Sequence, residues 1–225
     1  MRKNDGKNRA DAPERTGASR QGRARRAPKP ATPDRLERAA YHYLERFATS
    51  SENLRRVLMR RVERSAMLHD TDREEGAKAV DALVARFLSA GLLDDRAYAE
   101  ARTASLHRQG KGVRAIRQAL AQKGVSPDDA AAALDALTAE IGPTDPEAAG
   151  IGLREADFAA AVTYARRRRL GPYRSAARAD NRERDLAALG RQGFGYDTAR
   201  RVIEAEDVET LEAERDAALD PDAPL

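Results

Sequence analysis

The stretch LAQKGVSPDDAAAALDA at 120–136 returns in altered form as LGRQGFGYDTARRVIEA at 189–205. A phrase repeated at a fixed interval points to a repeat architecture, in which short units stack to share a core. At an offset of 69, five of the 17 positions are identical: Leu120 with Leu189, Gly124 with Gly193, Asp128 with Asp197, Ala130 with Ala199 and Ala136 with Ala205. Gly124 and Gly193 fall where a helix needs a left-handed residue to stop, each followed by an apolar residue, Val125 or Phe194. Ser126 can cap a new helix, Pro127 suits its first position, and Asp128 and Asp129 suit the positive end of its dipole. In the second copy Gly195 replaces the serine, while Asp197 keeps the first turn acidic. The repeated unit is helix, glycine turn, helix.

A third copy lies upstream. At an offset of 62, Leu44 falls on Leu106, Leu54 on Ile116, Val57 on Ala119 and Leu58 on Leu120. Ala48 and Thr49 then stand where the later copy has Gly110, Lys111 and Gly112. Thr49 with Glu52, and Thr71 with Glu74, have capping-box spacing. The second box precedes Val80, Leu83, Val84, Phe87 and Leu88, which share one helical face. In GLLDD at 91–95, Gly91 is expected to stop a helix, Leu92 and Leu93 to pack, and Asp94 or Asp95 to cap the next helix. The last copy begins near Phe158, and its span of 31 residues to Leu189, against 22 from Tyr98 to Leu120, implies a nine-residue insertion.

The expected fold is therefore all-α: three tandem three-helix, helix-turn-helix-like repeats in an elongated array. The expected divisions are a disordered basic tail at 1–33, repeats at 34–93, 94–140 and 154–206, a linker at 141–153 and an acidic tail at 207–225. Charge supports the two ends. Residues 1–33 carry +7, residues 204–225 carry −8, and the span between them carries +5. Both ends are expected to be dispensable for folding, because each lacks the apolar surface to offset its ordering entropy. Only 4% of residues are aromatic and 35% are charged, a balance suited to helices with narrow apolar faces.

Several function classes fall away on composition. No cysteine is present, and His42, His69 and His107 lack the close spacing of a ligand pair, so neither metal nor cofactor is expected. No stretch reaches the ~20 apolar residues of a membrane span, which points to the cytoplasm and away from membranes. GKG at 110–112 lacks the upstream glycine and the following Ser/Thr of a phosphate loop, and no Gly-x-Ser-x-Gly occurs, so no enzyme is expected.

LERAAYHYLERFATSSENLRRVL, GLLDDRAYAEARTASLHRQGKGVRAIRQALAQKGVS and LAALGRQGFGYDTARRVI together resemble the RecX family of bacterial recombination regulators. The stretch at 91–124 is the most specific part, and the resemblance spans about 36–206. It implies a protein that binds in the groove of the RecA filament on single-stranded DNA, limits its growth, and restrains strand exchange and coprotease activity. The partner so implied is the RecA filament; the basic charge adds single- or double-stranded DNA as an expected partner, and a monomer is expected. Candidate contacts are Arg114, Arg117 and Lys123 in the second repeat and Arg166, Arg167, Arg168, Arg169 and Arg174 in the third. For each, a solvated helix face is the alternative, and in a run of four arginines at least one is expected to lie over the core.

Two other readings stay open. A helix-turn-helix reading base edges would use DDAAAALDAL as the second repeat's recognition helix, which offers acids and alanines where Arg, Asn or Gln are needed. A protein-interaction scaffold with a different partner is compatible with the same pattern.

Overall fold

A computed structural model describes residues 29–139 and 146–219, the side chains of 146–151 excepted. Over these residues the chain forms ten α-helices, one 3-10 turn and no strand. Residues 1–28, 140–145 and 220–225 lie outside the described residues, and with them most of the basic tail, part of the expected linker and the end of the acidic tail. The first unit holds α1 (Pro33–Leu44), α2 (Ser51–His69) and α3 (Arg73–Ser89); the second holds α4 (Asp95–Arg108), α5 (Val113–Gln122) and α6 (Pro127–Ala139). The third holds α7 (Pro146–Arg168), a 3-10 turn (Gly171–Tyr173), α8 (Arg182–Gln192), α9 (Tyr196–Glu204) and α10 (Val208–Ala218).

Each unit has its own buried cluster. Leu36, Leu54, Leu58, Val80 and Phe87 centre the first, Ile116, Leu120 and Leu134 the second, and Phe158, Leu189, Phe194 and Val202 the third. Gly91, Gly124 and Gly193 stop their helices with φ of 70°, 74° and 94°, and Ser126 accepts from Asp129 N at 3.0 Å as the cap of α6. Two other caps sit one residue beyond the expected position. Ser50, not Thr49, accepts from Asn53 N, and Asp72, not Thr71, accepts from Glu74 N and Glu75 N. Thr49 and Thr71 face inward instead, bonded to Asn53 Nδ2 and Ser65 Oγ. Leu88 and Leu92 are exposed, while Phe87 and Leu93 take the buried positions beside them.

The acidic end differs most from expectation. Residues 208–218 are not a tail but α10, capped by Asp207 through Thr210 N at 2.7 Å. Leu211 is fully buried, and Glu212 accepts from Tyr173 Oη at 2.6 Å. The acids meet basic partners on the third unit: Arg166 lies 3.6 Å from Glu212, and Arg201 lies 3.1 Å from Glu214. The negative charge that marked this segment as solvated is complementary to the surface it covers. The expected linker is also shorter, since α7 starts at Pro146, a residue favoured in a first helical turn.

The units meet through a joint that is built twice. Asp95, the first residue of α4, reaches back to the N-terminus of α2, accepting from Ser51 N at 2.7 Å and Ser51 Oγ at 2.5 Å. At an offset of 62, Asp157 on α7 accepts from Val113 N, at the N-terminus of α5, at 2.8 Å. On the other side of the joint, Ser50 Oγ donates to Lys123 O, and Gly112 N donates to Gln192 O at 3.0 Å. Each second helix thus begins against the end of the next unit's second helix, so that α2, α5 and α8 meet end to end. A carboxyl group from the following unit satisfies the free amide at each start, a backbone donor that the helix itself leaves without a partner.

This joint explains the repeated phrase. A Cβ on Gly124 would stand 2.4 Å from Glu52 Cγ, and one on Gly193 would stand 2.4 Å from Ala115 Cβ and 2.5 Å from Ala115 N. The glycines stop a helix and at the same point admit the preceding unit. The joint also sets the register of the third unit. Asp95 matches Asp157 at 62, and Lys123 matches Gln192 at 69, so the insertion is seven residues, not nine. Buried Ala99 and Thr103 fall on buried Ala161 and Ala165 at the same offset of 62. The inserted residues form the 3-10 turn and the loop ahead of α8.

Candidate nucleic-acid interface

The third unit sorts its arginines into two groups. One group is neutralised within the fold: Arg182 pairs with Glu204, Arg201 with Glu155 and Glu214, and Arg215 with Glu212 and Asp216. Arg201 also lies 3.7 Å over the Phe158 ring, and Arg178 donates to the carbonyls of Ile203, Ala205 and Glu206. The run at 166–169 divides. Arg166 pairs with Glu212, and Arg167 stacks over Tyr164 and donates to Gln109 O of the second unit at 3.1 Å. Arg168 and Arg169 are exposed and have no carboxylate within 4 Å among the described residues; α7 ends here, with Arg169 at φ 53°.

Arg174 serves the fold. Its Nε and Nη2 each donate at 2.6 Å to Asp185, whose side chain is 1% exposed and which also accepts from Gly171 N at 2.9 Å. Burial pushes the Asp185 carboxyl up, but the Arg174 and Gly171 bonds outweigh it and hold the group below its ordinary range. Arg174 is therefore the base of a recess and not a free contact.

Around that base lies a cavity of about 240 Å³, lined by Arg168, Arg184 and Arg191 together with Arg174 and Asp185. Arg184, Ala188 and Arg191 stand at i, i+4 and i+7 on α8, so they share a face, and the small Ala188 leaves room between the two guanidiniums. Arg168 closes the recess from the end of α7. Arg168, Arg184 and Arg191 have no ion pair among the described residues, and with Arg174 offset by Asp185 the recess keeps three positive charges. Planar guanidiniums around a polar hollow match the oxygens of phosphate.

The second unit adds to this surface. Arg114 and Arg117, at i and i+3 on α5, are exposed and without an ion pair among the described residues. The bond from Gly112 N to Gln192 O places the start of α5 against the end of α8, bringing the backbones of Arg114 and Arg191 to adjoining turns. Lys123 ends α5 half-buried, its carbonyl held by Ser50. Sequence reasoning missed Arg184 and Arg191. Their i, i+7 spacing was visible, but the neutralisation of their neighbours was not.

Comparison with known proteins places the chain. Residues 94–134 match the family model of RecX, second three-helix domain. The chain is 40% identical over 185 residues to Regulatory protein RecX of Myxococcus xanthus, covering 81% of this chain and 91% of that one. The chain belongs to the RecX family. It is also 34% identical over 122 residues to Regulatory protein RecX of Agrobacterium fabrum, covering 52% of this chain and 56% of the relative. The crystal structure of RecX from Lactobacillus salivarius superposes with a TM-score of 0.51 at 18% identity, over 82% of this chain and 96% of that one, so the helical-repeat fold is shared. RecX proteins are regulators, and no helix among the described residues is long and apolar enough to cross a membrane.

Proposed function

We propose that this chain regulates the RecA recombinase in DNA repair. It binds the RecA nucleoprotein filament and restrains the filament's growth, strand exchange and coprotease activity. It acts by binding and not by catalysis, as a monomer in the cytoplasm. RecX family membership supports the regulatory part. The observation that carries the contact surface is the gathering of un-neutralised arginines on helices that meet end to end: Arg114 and Arg117 on α5, and Arg184 and Arg191 on α8 beside Arg168. Arg169 and Lys123 flank them, while Arg166, Arg167 and Arg174 hold the surface in place from within the fold. Arg114, Arg117, Arg168, Arg184 and Arg191 stand without an ion pair among the described residues while Arg174, Arg182 and Arg201 are paired, which supports a polyanionic partner for this face.

Charge reversal separates DNA from RecA as the partner of each group. R168E/R184E/R191E is expected to lower the salt slope of single-strand binding by about 0.7 per lost phosphate contact, whereas a lost protein contact weakens filament binding without that change. R114E/R117E is read in the same way. A protein carrying all five reversals that still binds the filament as wild type does would refute this surface.

A further inference from the structure

The first unit contributes no residue to the interface above, yet it holds a one-sided concentration of positive charge of its own. Lys29, Arg35, Arg38, Arg61 and Arg64 line one cavity of about 380 Å³ between the start of α1 and the outer half of α2, and no acid lines it. Elsewhere on this unit four arginines are neutralised, Arg55 by Asp81, Arg56 by Glu52, Arg73 by Glu63 and Arg86 by Glu37, while Arg46 lies over the Phe47 ring. Arg61 and Arg64 are exposed and have no hydrogen-bond or ion-pair partner among the described residues.

The walls of the cavity are fixed. Ser65, 3% exposed, accepts from Ala31 N at 2.9 Å and from Thr71 Oγ1 at 2.9 Å, which ties the segment leading into α1 to α2. Arg35 Nη1 donates to Pro30 O at 3.1 Å, and Arg38 Nε donates to Asp34 O at 3.2 Å. These carbonyls orient the two guanidiniums without cancelling their charge, and the remaining N–H groups stay available. Pro30 and Ala31, half-buried, supply an apolar wall.

We propose that this recess between α1 and α2 is a second nucleic-acid site, which takes the phosphodiester backbone of a single strand. Five cations around one hollow repel one another until a polyanion enters, and a single carboxylate neutralises only one of them. Guanidiniums bind phosphate oxygens two at a time, and the apolar wall suits the edge of a sugar. A hollow of about 380 Å³ takes a short piece of a single strand's backbone, whereas a duplex is too wide to enter and touches only the rim. Position favours the same ligand, because α2 begins where α5 ends, so a strand following Arg184, Arg191, Arg114 and Arg117 in turn arrives at the helix that carries Arg61 and Arg64. The proposal rests on the reading that the arginines of α5 and α8 contact nucleic acid.

The test uses the full-length chain and a fluorescent oligothymidylate, with binding followed against salt for wild type, R61E/R64E and R184E/R191E. Arg61 and Arg64 hold no fold contact, so R61E/R64E is expected to keep its helical circular dichroism and to lose about 1.4 units of salt slope, at about 0.7 per single-strand contact. Should R61E/R64E lose helicity, R61Q/R64Q gives the same readout without reversed charge. Duplex binding is expected to change less than single-strand binding in either variant. Wild-type affinity and slope in both first-unit variants, with R184E/R191E impaired, overturns the recess and leaves the α5/α8 interface standing. Wild-type behaviour in R184E/R191E as well overturns that interface too. ATP, or polyglutamate at equal charge, displacing the oligonucleotide from wild type but not from R61Q/R64Q would show a mononucleotide or acidic-peptide pocket and end the single-strand assignment.

Discussion

Gly193→Ala tests the joint between the second and third units. At φ 94° an alanine occupies the left-handed region, at a cost of about 1–2 kcal/mol. Its Cβ would also stand 2.4 Å from Ala115 Cβ, 2.5 Å from Ala115 N and 3.0 Å from Ala115 Cα, and two of these atoms are backbone. Relief requires α5 to move off the end of α8, stretching the bond from Gly112 N to Gln192 O, and overpacking of this kind costs about 1–3 kcal/mol more. Gly91→Ala is the matched control, because Gly91 has φ 70° and nothing within 4 Å of the added atom. G91A is expected to lose about 1–2 kcal/mol and G193A about 2–5 kcal/mol, or about 10 °C in Tm for a chain of this size. Thermal and urea melts followed by circular dichroism measure both. Adding Ala115→Gly to G193A removes the Cβ contact but not the contact with Ala115 N, so recovery is expected to be partial. Equal losses in G91A and G193A would show that the glycine serves only its own turn and that the joint is not tightly packed.

Leu211→Ala is expected to cost about 2–5 kcal/mol, because the side chain is fully buried under α10; a melt indistinguishable from wild type would return 208–218 to the status of a tail. Burial pushes the Asp157 carboxyl above its ordinary 3.8, with the Val113 N–H and His107 only partly opposing it. A carboxyl raised on folding favours the folded state while protonated, so wild type loses stability as pH rises from about 3.8 through the raised value. Asp157→Asn still accepts from Val113 N and is expected to match or exceed wild-type stability at pH 7, with the difference closing toward pH 4, whereas Asp157→Ala is weaker throughout. D157N melting with D157A at pH 7 would show that the charge itself holds the joint.

Signals confined to a few neighbouring residues were legible in the sequence. The glycine stops at 91, 124 and 193, the Ser126 cap and the apolar faces of α2, α3 and α5 all depend on spacings of three or four residues, and the helices follow from them. What was hidden lies in contacts between distant residues. Asp95 reads as a cap beside Asp94, and only the fold sends it 44 residues back to Ser51. The acidic end reads as solvated because its compensating charges, on Arg166 and Arg201, stand on other helices. The same blindness shaped the candidate interface. Arg166, Arg167 and Arg174 look like surface charge until Glu212, Gln109 and Asp185 are found against them, and Arg184 and Arg191 become conspicuous only once their neighbours are paired.

RecA-catalysed strand exchange, followed with increasing wild-type protein, tests the central claim most directly. Inhibition that saturates with filament coverage and is relieved in the variant carrying R114E, R117E, R168E, R184E and R191E is the predicted result. Strand exchange untouched by saturating amounts of folded wild-type protein would contradict regulation of RecA by this chain.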